Sequence, residues 1–176
     1  TLDKLALTDG LDIIIGTRYS YVKLNANKVK TIGQLSNSWS AWTGNAQLQL
    51  ALNEDKDAHI YLGVNQAFRA PNISDTTRDD EFSTTGVEVP TADLDPEHYS
   101  TFETGLRVHK DTWNLQVAVY HTMIKDRIAR LKNGGKNTKA NLDEGYVQGI
   151  EIYADVDLTE QVMLFGRVAY QEGYED

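Results

Sequence analysis

Cysteine is absent from the 176 residues, proline occurs three times, and basic residues are outnumbered, 17 against 26 acidic ones. Without cysteine there are no disulfides, thiolate metal sites or thiol nucleophiles, and the redox compartment stays open. The net charge of −9 excludes a general nucleic-acid binder, which needs a basic surface. No run of about 18 apolar residues occurs, so no helix is expected to span a membrane. A transmembrane β-barrel remains compatible with the mean hydropathy of −0.46, because its strands need apolar residues only at alternate positions. Forty per cent hydrophobic residues and 13 glycines point to a folded chain rather than a disordered or collagenous one. The length suits one domain over residues 1–176. Thr1 to Leu5 shows no initiator methionine or signal-peptide core, and the expectation is a mature chain or a piece of a longer one.

What the chain has is alternation. Ile60, Leu62, Val64 and Phe68 alternate with Tyr61, Gly63, Asn65 and Ala67, the period-two signature of a strand with two unlike faces. Pro71 removes a ladder donor and holds Ala70 extended, so this strand is expected to end there. The same pattern predicts strands from Leu11 to Leu24, Trp39 to Leu52, Tyr99 to Val108, Trp113 to about Ile128, Tyr146 to Leu158 and Val162 to Gln171. That gives roughly seven strands beside a shorter one from Leu2 to Leu7, and no helix. The phase slips after Met123, as at a bulge. Asn25 to Asn37, Ile73 to Glu97 and Leu131 to Asp143 lack alternation and read as loops.

Short turns near Asp9, Asp55, Lys110 and Glu160 interleave with longer connections near Lys30, Asp80 and Gly134. The fold expected is all-β, an antiparallel up-and-down meander with short turns at one end and long loops at the other. Strands of about ten residues with this asymmetry suit part of a transmembrane β-barrel. A soluble β-sandwich binding module accepts the same alternation. A complete small barrel of about eight strands is a third solution.

Three strings carry a resemblance: Phe68-Arg69-Ala70-Pro71-Asn72; Asp95-Pro96-Glu97 with Phe102-Glu103-Thr104-Gly105-Leu106-Arg107; and Gly145-Tyr146-Val147-Gln148-Gly149-Ile150-Glu151. In order and spacing they resemble the C-terminal β-barrel of TonB-dependent outer-membrane receptors. The resemblance assigns motif positions to Phe68, Arg69, Pro71, Asn72, Glu103, Gly105, Gly149 and Glu151. It implies location in the outer membrane of a Gram-negative bacterium and active uptake of a scarce solute such as a ferric siderophore. The implied partners are outer-membrane lipid, a plug domain, the remaining barrel strands, and TonB acting through the plug. About a third of the family's strands and no plug are recognisable here, so the chain is expected to supply wall and loops.

Candidate ligand-binding residues lie in the loops: Arg69 at a strand end, Asp79 and Asp80 in an acidic connection, Arg130 and Lys132 in a basic one. Each has a structural alternative: pairing with nearby acids for Arg69, solvation for the acidic connection, and solubility with partial pairing to its acidic neighbour for the basic one. The acidic connection lacks EF-hand spacing, and the four histidines have no tight grouping, so no metal site is assigned. No nucleophile elbow, zincin helix or phosphate loop is present, and neither an enzyme nor a cofactor is expected. Tyr19, Tyr21, Trp42, Trp113 and Tyr170 fall on apolar faces, as girdle residues would.

Overall fold

The computed structural model describes residues 2–30, 32–79, 87–133 and 135–175. Its strands are β1 (Leu2–Thr8), β2 (Leu11–Val29), β3 (Gly33–Ala51), β4 (Ala58–Arg69), β5 (Val87–Glu88), β6 (Glu97–Lys110), β7 (Trp113–Asn133), β8 (Lys136–Thr159) and β9 (Val162–Glu175). All nine join one sheet in the order β1-β2-β3-β4-β6-β7-β8, with β9 and the two-residue β5 both on the far edge of β8. Every pairing is antiparallel except β5 with β8. The meander is therefore confirmed, and the short Leu2 to Leu7 segment is a true strand in register with β2.

The connections differ from expectation at the long-loop end. Asn25 to Asn37 and Leu131 to Asp143, expected as loops, are the tops of hairpins whose ladders run to Val29↔Gly33 and Asn133↔Lys136. Their sequences conceal strands because polar residues also occupy covered positions there: Asn137 is buried and Thr138 to Leu142 are half-buried, so apolar alternation does not mark a face. The phase slip past Met123 is not an inserted residue. Lys125↔Glu144 and Arg127↔Leu142 keep one register around Asp126, which takes a left-handed backbone with φ of +55°. A five-residue helix, α1 (Ile73–Thr77), stands where none was expected.

Register sorts the side chains into two faces. Leu5, Ile13, Leu48, Leu62, Thr104, Val119, Ile150 and Tyr170 form one row of the apolar face. Leu11, Leu50, Ile60, Leu106, Val117, Ile152 and Val168 form the next. This face is bare: Leu62 is 60% and Val168 68% exposed. Toward the long-loop end it carries aromatic rings, with Tyr19 and Trp42 5.2 Å apart and Tyr146 and Tyr174 6.0 Å apart between centroids. One polar row crosses it, His121, Gln148 and Glu172, and satisfies itself through bonds of 3.1 and 2.7 Å.

The opposite face holds Tyr61, Glu103, Arg107, Tyr120, Glu151 and Arg167. Tyr61 donates to Glu103 Oε1 at 2.6 Å and lies beneath the Arg107 guanidinium, 4.3 Å from its ring centroid. It also lies over its cross-strand partner Gly105, where a Cβ would stand 2.6 Å from the tyrosine oxygen and 2.3 Å from Val117 O. Tyr120 covers Gly149 in the same way, with a Cβ there 2.8 Å from its hydroxyl. These two motif glycines seat tyrosines. Glu151 accepts from Arg167 at 2.5 Å.

Neighbouring turns at the short end are laced together. Lys56 pairs with Asp9 and Lys110 with Asp57. His109 N–H reaches Asp57 O at 2.7 Å and Asp157 N–H reaches Thr112 O at 2.8 Å. The Lys110 and Asn53 hydrogen bonds hold the Asp57 carboxyl below its ordinary pKa.

Candidate functional site

The β4–β6 hairpin is lower than its neighbours: β4 ends at Arg69 and β6 begins at its partner Glu97, while the β2–β3 and β7–β8 hairpins continue past it. The connection from Ala70 to Pro96 is folded into the resulting notch. Phe68-Arg69-Ala70-Pro71-Asn72 builds its base. Phe68, one residue before the strand end, lies beside its cross-strand partner His98, with centroids 5.7 Å apart. Pro71 is fully buried and stops the ladder, and Asn72 caps α1. The cap is reciprocal: Asn72 Oδ1 accepts the Asp75 N–H at 2.9 Å while Asp75 Oδ2 accepts the Asn72 N–H at 3.1 Å.

Arg69 joins the two ends of the connection. Its Nη1 donates to Asp75 Oδ2 at 3.0 Å and its Nε donates to Glu97 Oε2. Glu97, 3% exposed, also accepts the Tyr99 hydroxyl and the Ile128 N–H, the latter at 2.8 Å. Burial alone would raise its pKa, but the Arg69, Tyr99 and Ile128 bonds outweigh burial and hold it at about 2. The Glu97 bond raises the Arg69 pKa further above its already high value.

A second buried carboxylate, Glu88, lies between Arg130 and Arg78, the latter 2.5 Å away. From there the connection is pinned on both sides. Val89 N–H reaches Asn137 O at 2.9 Å, and the Thr91 and Thr138 hydroxyls meet at 2.7 Å. Asn141 binds both polar groups of the Asp95 backbone at 2.8 and 2.9 Å, and donates to Asp126 O at 2.6 Å. Across the notch Asn37 donates to Ala92 O at 2.7 Å and Trp39 Nε1 to Leu94 O at 3.1 Å.

The structure thus brings Arg69 and Arg130 into the anchoring of this connection. Asp79 is half-buried just beyond α1, Lys132 is exposed at the top of β7, and Asp80 lies outside the described residues. The solvated acidic loop expected from sequence is corrected: Asp75, Glu88 and Glu97 are buried, each beside an arginine. Sequence reasoning did not single out Asp75, Glu88, Asn141, Asn37 or Trp39. Asn72 with Asp75 three residues on, directly after Pro71, is a capping signal that was legible. The others need the register. Among the described residues no group of three or more His, Cys, Asp or Glu is placed to hold a metal ion.

The model of the family described as TonB dependent receptor-like, beta-barrel matches residues 1–176. A search of curated proteins gives no match. Among solved structures, the chain superposes on the copper transporter OprC with a TM-score of 0.74 and 17% identity, covering 98% of this chain and 27% of that one. The siderophore receptor PirA from Pseudomonas aeruginosa gives 0.71 and 18%, covering 99% and 31%. The alcaligin outer-membrane receptor FauA from Bordetella pertussis gives 0.71 and 16%, covering 99% and 29%. The chain spans roughly three tenths of the length of each, and at these identities the likeness shows the fold. With the family model matched from end to end and a nine-stranded meander in register, the chain belongs to the TonB-dependent receptor β-barrel family.

Proposed function

We propose that the chain forms part of the wall and the extracellular collar of an outer-membrane receptor that imports a scarce solute such as a ferric siderophore. The observation that carries this reading is the notch-filling connection, held by buried carboxylates and hydrogen-bonded on both flanks at the long-loop end of a family barrel. In this reading the apolar face meets outer-membrane lipid and the face of Tyr61, Glu103 and Arg167 lines the lumen. From Trp113 to Met123 the apolar side of β7 covers about 33 Å along the strand. At a tilt of about 40° that is about 25 Å, the height of an outer-membrane apolar band.

The plug, the remaining strands and the contact with TonB belong to the rest of the parent protein. In this reading Asp79 and Lys132 stand near the entrance, while Arg69 and Arg130 act by holding the connection in place. The structural neighbours include a copper transporter, a siderophore receptor, an alcaligin receptor and the Serratia marcescens hemophore receptor HasR in complex with its hemophore and heme. The test therefore compares solutes. Cells carrying the full-length gene are assayed for TonB-dependent accumulation of radiolabelled ferric siderophores, heme and copper ions. Energy-dependent uptake of one of them, reduced by Lys132→Glu, supports the reading; no uptake of any, or uptake without TonB, refutes it.

A further inference from the structure

Backbone accounting leaves one strand edge open. The β3–β4 ladder stops at Asn45↔Asn65, whereas the β2–β3 ladder continues to Val29↔Gly33. Along β3 the donors alternate in direction: Ala51 N–H faces β2 and reaches Gly10 O at 2.7 Å, while Leu52 N–H faces β4 and reaches Ala58 O at 2.8 Å. Even-numbered residues of β3 therefore direct N–H and C=O toward β4, and no register shift occurs between Gln34 and Leu50 to change this. At Gly44 the N–H is met by the Gln66 side chain, Oε1 at 3.3 Å, because the β4 backbone has already diverged. Above it, Ser38, Ser40 and Trp42 have no backbone partner on this side among the described residues. Among the described residues, the hydrogen bonds between the connection and this part of β3 run through the side chains of Asn37 and Trp39.

Beyond the other flank of the notch the connection itself adds a short strand: β5 pairs with the outer edge of β8 at Lys136 and Asn137. The β3 edge also sits beside the Tyr19 and Trp42 rings, at the aromatic boundary of the apolar band, where water and polypeptide have access.

We propose that the edge of β3 from Ser38 to Gly44 is a β-augmentation site that takes an extended polypeptide segment approaching from the long-loop side. This uses the assignment of that side as extracellular, and so rests on the receptor reading for its direction. A polypeptide is the occupant because alternating N–H and C=O groups along one line are matched only by another backbone in extended form. Side chains select within that class. Arg18, exposed and without an ion pair among the described residues, neighbours Thr43 in register on the lumenal face, and it lines a concavity of about 1080 Å³ with Asn45 and Asn65. An acidic side chain on that face of the incoming strand and apolar ones beside Trp42 complement the edge.

The test uses the full-length receptor in detergent micelles. The probe is an acetylated, amidated octapeptide of alternating valine and threonine with one central glutamate. Hydrogen exchange of the 36–45 region is expected to slow when the peptide is added. Ser40→Pro deletes an N–H that faces the gap and leaves the β2-facing bonds intact; it is expected to weaken binding roughly tenfold without lowering the melting temperature, while Ser40→Ala binds as the parent does. Arg18→Glu is expected to reverse the preference toward a lysine-bearing peptide. Protection of Ser40 and Trp42 in the peptide-free receptor would show the edge already taken in cis and overturn the proposal. So would absence of protection at millimolar peptide, or unchanged binding by Ser40→Pro. Because binding is read in micelles, a failure of solute uptake is a separate result that leaves the augmentation assay standing.

Discussion

Glu97 is nearly closed to solvent and still charged, because three donors converge on its carboxylate from β4, β6 and β7. Its pKa of about 2 lies below the value of about 4.3 in an unfolded chain. A depressed acid stabilises fully above the unfolded value and ceases to do so as pH falls through the folded one. Release of the 70–96 connection is therefore expected as pH drops from about 4.3 to about 2, read as pepsin cleavage near Leu94 against an unfolded control. Arg69→Gln removes the shared donor of Glu97 and Asp75. With the arginine side chain 39% exposed, the expected cost is about 1–3 kcal/mol in chemical denaturation. The seat of Tyr61 over Gly105 makes a separate prediction: Gly105→Val drives a side chain into Val117 O and the tyrosine ring, and is expected to lower stability by about 1–3 kcal/mol. An unchanged melting temperature in Gly105→Val would show that the tyrosine has room to move.

At the scale of elements, the strands inside the apolar band were legible and their extensions were not. Between Leu11 and Tyr21, or Trp113 and Met123, one face is apolar and the other mixed, so alternation reports the strand. Above the band, exposed Lys23, Asn25 and Asn27 replace the apolar residues of their face, and composition there resembles a loop although the ladder continues. The candidate site was partly legible: Pro71 and Asn72 announce a stop and a helix cap in sequence, whereas Asn141 meeting Asp95 is visible only once β7 and β8 are paired. That contact carries a prediction. Asn141→Ala removes two bonds to the connection and one to the Asp126 carbonyl, and is expected to speed hydrogen exchange of residues 89–96 while leaving Val117 and Ile152 protected. Equal acceleration in β7 and β8 would mean that the connection and the wall open as one unit.

For the whole molecule, the two lateral edges govern behaviour. Among the described residues β1 pairs with β2 alone and β9 with β8 alone, so each presents an unpaired side, and the apolar face between them is bare. A membrane barrel tolerates neither, because an unpaired backbone group in hydrocarbon costs several kcal/mol and closure alone removes both edges. The chain covers 27% of the copper transporter OprC and 31% of the siderophore receptor PirA. The 176 residues produced alone are therefore expected to associate through β1 and β9 in detergent and to give no heat-modifiable band on a gel. The full-length parent is expected to give one, since a closed ladder resists detergent until heated. A discrete, heat-modifiable monomer from the 176 residues alone would show that β1 and β9 can close on each other, and would move the chain from wall segment to self-sufficient small barrel.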